Sequence, residues 1–428
     1  MTSPARTDSP ATSRRNRLLA TSGVLIEWYD FMVYALLATT LQQVFYPTES
    51  STLGLVLTFA TFAIGYLARP FGGLVLGRIG DTKGRRYALV LSTTLMLVPL
   101  AVITVLPGYD TIGILAPLLL TLMRLFQGFS VGGEYSGALT ALSESSDAER
   151  RGRSISLGLA TAMGGNLLAS LVVLLTTLIW GEEALVEGTW RIPFAIGLIA
   201  CIISVILQRR MHETEEFVSG DRDSTAKSPF MALIRQYPRE TLMMTALAAW
   251  SGITVYTLIS WMPSFLETVI GDSDQEAQAV SALISIIYIL AIFPVAALGD
   301  RIGRQKIMLW CIGLYLVLAI PATFLIDRGT ALALIPAVLV LALLQTGVDS
   351  STTTEMTRLV PASVRYTAIA ITYALGMIIG SFTPAVEEAL IGFSGSDLMP
   401  AFILIGISLL MLPVVLLLPR MKARAGEA

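Results

Sequence analysis

Glu27, Asp30, Arg69, Arg124, Glu134 and Asp349 each interrupt a long apolar stretch of the sequence. An ionisable group at the centre of a bilayer-spanning helix costs roughly 2.5–3.5 kcal/mol, so each of these needs a partner or a water-lined cavity. Glu27 and Asp30 are three residues apart and share a helical face, with Tyr34 on the same stripe. Arg124 and Gln127 share a face of a second helix, and Glu134 follows on the side of Gln127. An acid facing Arg124 can take up a proton when the arginine draws away and release it when the arginine returns, which is the chemistry of proton coupling. The alternative is a fixed ion pair that locks two helices together. Two acids as close as Glu27 and Asp30 resist simultaneous ionisation, and either could carry the proton. Arg69 can meet a substrate carboxylate, or pair with Glu27 or Asp30. Glu134 lies nearer a helix end and suits a gate.

Aromatic residues surround these acids: Trp28, Tyr29, Phe31 and Tyr34, then Trp250, Tyr256 and Trp261 further along. Aromatic faces beside a carboxylate suit a quaternary or secondary ammonium; Trp250 and Trp261 also fit an interfacial belt. Other chemistries lack their parts. The one histidine, His212, excludes a buried histidine pair, and Cys201 and Cys311 both lie in apolar runs as packing residues. No metal or other cofactor is expected, and no nucleophile motif marks an enzyme. The net charge of -2 provides no field for nucleic acid.

The elements that must position these groups are membrane helices. Of 428 residues, 54% are hydrophobic and only 14% charged, against roughly 25% charged in a soluble chain. A span needs about 20 mostly apolar residues, and twelve such stretches can be read. They begin with Leu18 to Phe45 and Leu53 to Ile79, include Thr111 to Leu142 as the fourth and Thr241 to Phe265 as the seventh, and end with Leu398 to Leu418. Every second connection is basic, from Arg14, Arg15 and Arg17 to Arg420, Lys422 and Arg424. The alternate connections carry Glu49, Asp110, Glu182, Glu183, Asp272 and Asp274. The bias places both termini and the central loop in the cytoplasm. The chain divides into a disordered tail over 1–16, a six-helix bundle over 17–208, a cytoplasmic loop over 209–239, a second six-helix bundle over 240–420 and a short tail over 421–428.

The two halves repeat. Gly80-Asp81-Thr82-Lys83-Gly84-Arg85-Arg86 recurs as Gly299-Asp300-Arg301-Ile302-Gly303-Arg304-Gln305-Lys306, each time after the second span of its half. Such duplication is the architecture of transporters that rock two bundles around a central site. Asp81, Arg85, Asp300 and Arg304 are candidate gate residues, each acid bridging to the facing bundle when the inside is closed.

With Gly77 and Arg78 ahead of it, the first copy resembles the loop signature of the major facilitator superfamily. More narrowly, the chain resembles the metabolite:proton symporters through Glu27-Trp28-Tyr29-Asp30-Phe31, Arg69-Pro70-Phe71-Gly72-Gly73, the run from Arg124 to Tyr135, and Trp190-Arg191-Ile192-Pro193-Phe194. In the second half Trp261-Met262-Pro263-Ser264-Phe265, Val364-Arg365-Tyr366-Thr367-Ala368 and Leu398-Met399-Pro400-Ala401 look most like the proline/glycine-betaine branch. The resemblance implies an all-α membrane protein of two six-helix bundles, with the first and fourth helices lining a central cavity. It implies a monomeric proton symporter in a bacterial inner membrane, importing a zwitterionic osmolyte by alternating access. Glu27, Asp30 and Arg124 would couple the proton, and Trp28, Tyr34, Arg69, Gln127, Tyr256 and Trp261 would line the substrate site. The runner-up is an organic-acid symporter, favoured by Arg69 and Arg124, and a non-transporting receptor is a distant third.

Overall fold

In the computed structural model, which describes residues 10–83, 85–132, 151–209, 233, 235–270, 274–328 and 330–425, every regular element is helical. Helices are what this composition demands, because a bilayer offers no partner for a backbone N–H or C=O. Ten helices are long and apolar enough to span, the bent pair Gly23–Leu36 and Ala38–Phe45 makes another, and the shorter apolar Leu115–Val131 supplies the fourth.

In chain order the spans of the first half are Pro10–Leu36 with Ala38–Phe45, Ser51–Leu67 with Arg69–Lys83, Arg85–Val105, Leu115–Val131, Arg151–Trp180 and Arg191–Gln208. Those of the second half are Pro238–Tyr256 continuing to Ile270, Asp274–Ile302, Arg304–Asp327, Ala331–Met356, Ala362–Ser381 with Thr383–Ser394, and Met399–Ala425. The first helix starts at Pro10, inside the stretch expected to be a disordered tail. Most of the central loop, His212 included, and the fourth stretch beyond Gly132 lie outside the described residues.

Several spans break where the sequence withdraws a backbone donor. The second breaks at Ala68, ahead of Pro70, and the eleventh at Phe382, ahead of Pro384. The seventh passes through π-helical turns at Thr257–Trp261 and Leu266–Ile270, on either side of Pro263. Proline removes one i→i−4 bond, and a wider turn absorbs the mismatch. The first span bends by 64° after Leu36.

Leu118, Ile199, Val317, Leu332 and Leu410 face outward, while the ionisable groups of the spans face inward. Small residues permit close crossings. A Cβ on Gly128 would lie 1.6 Å from the Gly65 carbonyl oxygen, so the second and fourth spans touch backbone to backbone. Arg124 lies level with Gly65, and Arg69 lies level with Gly132, nearer the loop end on the neighbouring helix.

The halves meet chiefly through the fifth and eighth spans and the second and eleventh. Thr39 donates to Glu267 Oε2 (2.5 Å), Gln278 to the Leu36 carbonyl (3.0 Å) and Ser170 to Ser281 (2.9 Å). Asn166 donates to Ser285 (2.7 Å), and Tyr256 to the Tyr66 hydroxyl (2.5 Å). These links lie at mid-depth or toward the end opposite the Gly-Asp loops. A small cavity lies between Arg69 and Gly132 on one side and Ala370, Tyr373 and Met377 on the other.

Candidate functional site

The first, second and fourth spans bring Glu27, Asp30, Arg69, Arg124 and Gln127 into one buried cluster. Arg69 Nη1 donates to Glu27 Oε1 at 2.7 Å, so of the partners open to Arg69 the structure selects Glu27. Arg124 Nη1 donates to Gln127 Oε1 at 2.9 Å, and Gln127 Nε2 donates to Asp30 Oδ2 at 2.8 Å. The direct Arg124–Asp30 separation is 3.8 Å. Gln127 therefore relays between acid and base, with Arg124 0% and Asp30 1% exposed.

The cluster keeps capacity in reserve. Glu27 Oε2, Asp30 Oδ1, Arg69 Nε, and both Nε and Nη2 of Arg124 have no hydrogen-bond partner among the described residues. Aromatic faces take up part of the positive charge instead. The Arg124 guanidinium lies 4.4 Å from the ring centres of Phe31 and of Tyr34, and that of Arg69 lies 4.3 Å from Phe31 and 4.0 Å from Tyr66. Phe31 is thus shared by both arginines. Phe62 and Tyr66 were not singled out as site residues from sequence, although with Arg69 they form one helical stripe on the second span.

The aromatic candidates separate into different surroundings. Tyr34 covers Arg124 and donates to the Thr58 carbonyl at 3.1 Å. Tyr256 crosses to the first bundle, donating to Tyr66 and meeting Phe62 edge-on. Trp28 is buried at the crossing of the first and fifth spans, beside Gly165. Trp261 packs on Phe265 and donates its Nε1 to Glu388 Oε1 at 3.0 Å.

That last contact exposes two acids the sequence reading passed over. Glu387 and Glu388 stand together in the eleventh span, and Glu387 Oε1 accepts from Thr257 at 2.6 Å. Two adjacent acids inside an apolar run were the signal that could have found them. Asp349 accepts from Ser251 (2.5 Å), Tyr288 (2.7 Å) and Gln345 (2.8 Å), which belong to the seventh, eighth and tenth spans.

In this state Asp300 pairs with Arg304, four residues on and within its own bundle. Gly303, at φ 95°, makes the tight turn that returns Arg304 to Asp300. Around Arg304 lie Arg358 and Glu355, also of the second bundle. Asp81 and Arg85 hold the equivalent sequence positions in the first half, but their side chains, like the whole of Glu134, lie outside the described residues.

Comparison with known proteins agrees with this architecture. The family described as "Sugar (and other) transporter" matches residues 17–228, and that described as "Major Facilitator Superfamily" matches residues 251–428. The chain is 35% identical to the proline/betaine transporter of Escherichia coli K12 over 401 residues, covering 90% of this chain and 79% of that protein. It is 31% identical to a putative proline/betaine transporter of Staphylococcus aureus strain COL over 412 residues, covering 94% and 87%. Among solved structures, the partially occluded inward-open xylose transporter XylE of E. coli superposes with a TM-score of 0.76 at 15% identity, over 96% of this chain and 98% of that one. At that identity the superposition speaks for the fold, two six-helix bundles. The relatives are named transporters, not enzymes. The chain is a multi-pass membrane transporter of the major facilitator superfamily, and belongs within it to the family that holds these proline/betaine transporters.

Proposed function

We propose that the protein imports a small zwitterionic osmolyte of the proline or glycine-betaine class together with a proton, by alternating access across a bacterial inner membrane. The observation that carries this reading is the Asp30–Gln127–Arg124 relay, buried beside Arg69–Glu27 with several donor and acceptor atoms uncommitted. Arg124 is the only basic group of its span, so any movement that separates it from Asp30 leaves a buried carboxylate uncompensated, and a proton then takes the arginine's place. Return of the arginine expels that proton. A substrate carboxylate suits the uncommitted N–H groups of Arg124 and Arg69. Its ammonium suits the acids and the faces of Phe31, Tyr34 and Tyr66.

The basic loops place the Gly-Asp end in the cytoplasm. The bundles are joined on the other end, so the reading takes this state as inward-facing. Asp81, Arg85 and Glu134 remain candidates for the cytoplasmic gate, and the working unit is taken as a monomer.

Uptake of labelled proline and betaine into proteoliposomes, with and without an imposed pH gradient, tests the reading. Accumulation that follows the gradient is expected, and uptake indifferent to it would overturn the coupling. A second reading, an organic-acid symporter, draws on the same pair of arginines. Competition by citrate or ketoglutarate, with none by proline or betaine, would replace the first reading by the second.

A further inference from the structure

We propose that Asp349 is a second proton-binding site, housed in the C-terminal bundle and separate from the Asp30–Arg124 relay. Its carboxylate is buried at 4% exposure and held by Ser251, Tyr288 and Gln345 from three different spans. Among the described residues it makes no ion pair. The other titratable groups facing it are Tyr288 of the eighth span and Cys311 and Tyr315 of the ninth. The seventh span brings Ser251, and neither it nor the fifth brings a described charged group.

The donor set is the argument. A guanidinium can only donate, so it accepts a carboxylate and rejects a carboxylic acid. A hydroxyl donates to the ion and, after turning its hydrogen aside, accepts from the acid. Ser251 can turn its hydrogen to the carbonyl four residues back on its own helix. Tyr288 offers the same exchange to the other carboxyl oxygen. Gln345 can present oxygen in place of nitrogen by rotating its amide, and its Oε1 has no hydrogen-bond partner among the described residues. All three partners thus serve either protonation state without moving a helix. On protonation the added hydrogen sits between Asp349 Oδ1 and Ser251 Oγ; on release it passes to water, leaving the ion that accepts from all three.

The duplication points to the same place. Tyr288 stands twelve residues before Asp300, as Arg69 stands twelve before Asp81. At this position both halves reach a buried carboxylate from their second span, Arg69 to Glu27 and Tyr288 to Asp349. The first half uses a permanent cation there, and the second uses a hydroxyl that can follow a proton.

The inference rests on proton-coupled uptake for its role but not for the binding itself, so two measurements on the full-length protein separate them. In infrared difference spectra between alkaline and acidic buffer, a protonated-carboxyl band should be lost in Asp349→Asn and moved to higher frequency in Tyr288→Phe, where a hydrogen bond is missing. A band untouched by both substitutions overturns the proposal, while Tyr288→Phe keeps the test open should Asp349→Asn fail to fold. In proteoliposomes with opposed substrate and pH gradients, the proton-to-substrate ratio should fall by one in Asp349→Asn. An unchanged ratio in pH-driven uptake overturns it. If uptake ignores pH altogether while the band behaves as expected, the proposed coupling fails and the proton site stands.

Discussion

In the N-terminal bundle the buried carboxylates of Glu27 and Asp30 face Arg69 and Arg124, whereas in the C-terminal bundle Asp349, Glu387 and Glu388 meet hydroxyl, amide and indole donors. Both solve the cost of an acid inside a bilayer, with opposite consequences. A guanidinium holds its partner as an ion and loses its own compensation when the partner moves, so the first bundle is responsive to geometry. Neutral donors tolerate either protonation state in place, so the second is responsive to proton activity. The two meet at Tyr66 and Tyr256, the former lying over Arg69 and the latter one residue before the Thr257 that holds Glu387.

Removing the cation of the first bundle should have the largest effect. Breaking a buried pair by deleting one partner costs about 3–5 kcal/mol, enough for roughly a hundredfold or more. Arg124→Ala should therefore abolish concentrative uptake, with insertion and folding checked by size-exclusion chromatography. Accumulation that persists under a pH gradient would mean that the first bundle's charge pair is only structural, and the contrast between bundles would lose its functional meaning.

The relay itself offers a sharper comparison, because each bundle has an amide beside its acid. Gln127→Leu removes a hydrogen bond to charged groups worth about 1.5–3 kcal/mol, and should lower the initial uptake rate by about ten- to a hundredfold. Gln345→Leu leaves Asp349 with Ser251 and Tyr288, and a net loss of about 0.5–1.5 kcal/mol should lower the rate by about tenfold at most. Equal losses in the two variants would show that the donors around Asp349 are no more interchangeable than those around Asp30.

The junction between bundles comes next. Tyr256→Phe deletes the bond to Tyr66 but keeps the ring packed on Phe62. One hydrogen bond of about 1 kcal/mol shifts a balanced two-state equilibrium by about fivefold. A cysteine reporter on the joined end of the interface should label faster in Tyr256→Phe, and unchanged labelling would show that the bond is remade in both states.

Much of this was open to reading from the sequence. Charge poverty, the alternation of basic connections and the repeated Gly-Asp loops lead to twelve spans in two halves, and the rarity of intramembrane charge marks Glu27, Asp30, Arg69, Arg124 and Asp349. Partner choice was harder, because it depends on helix rotation: three-residue spacing puts Glu27 and Asp30 on one face, yet only the Gly65–Gly128 crossing settles which arginine meets which acid. The aromatic residues were over-pooled. Trp28 adjoins Glu27 in sequence and Trp261 belongs to the other half, and in the fold one packs at the fifth span while the other holds Glu388. The repeat points to symmetry between the bundles, and the i,i+4 spacing from Asp300 to Arg304 across Gly303 adds a pairing within one bundle.

The smallest expected effect follows from that pairing. Asp300 and Arg304 belong to one turn of one bundle, so rocking the bundles moves them together and leaves their separation unchanged. A bridge made equally in both states cannot bias the equilibrium between them. The side chains are 14% and 4% exposed, and an Asn that keeps one oxygen toward Arg304 forfeits about 0.5–1.5 kcal/mol. Asp300→Asn should lower thermal stability by that small amount while changing the labelling of a cysteine at the loop end of the interface by less than about twofold. The comparison with Tyr256→Phe is the informative one, since the two substitutions remove contacts of similar size and differ in whether the contact crosses between bundles. If Asp300→Asn shifts accessibility as far as Tyr256→Phe does, Asp300 must exchange Arg304 for a partner on the N-terminal bundle in the other state. That would give Asp300 the gating role expected of it.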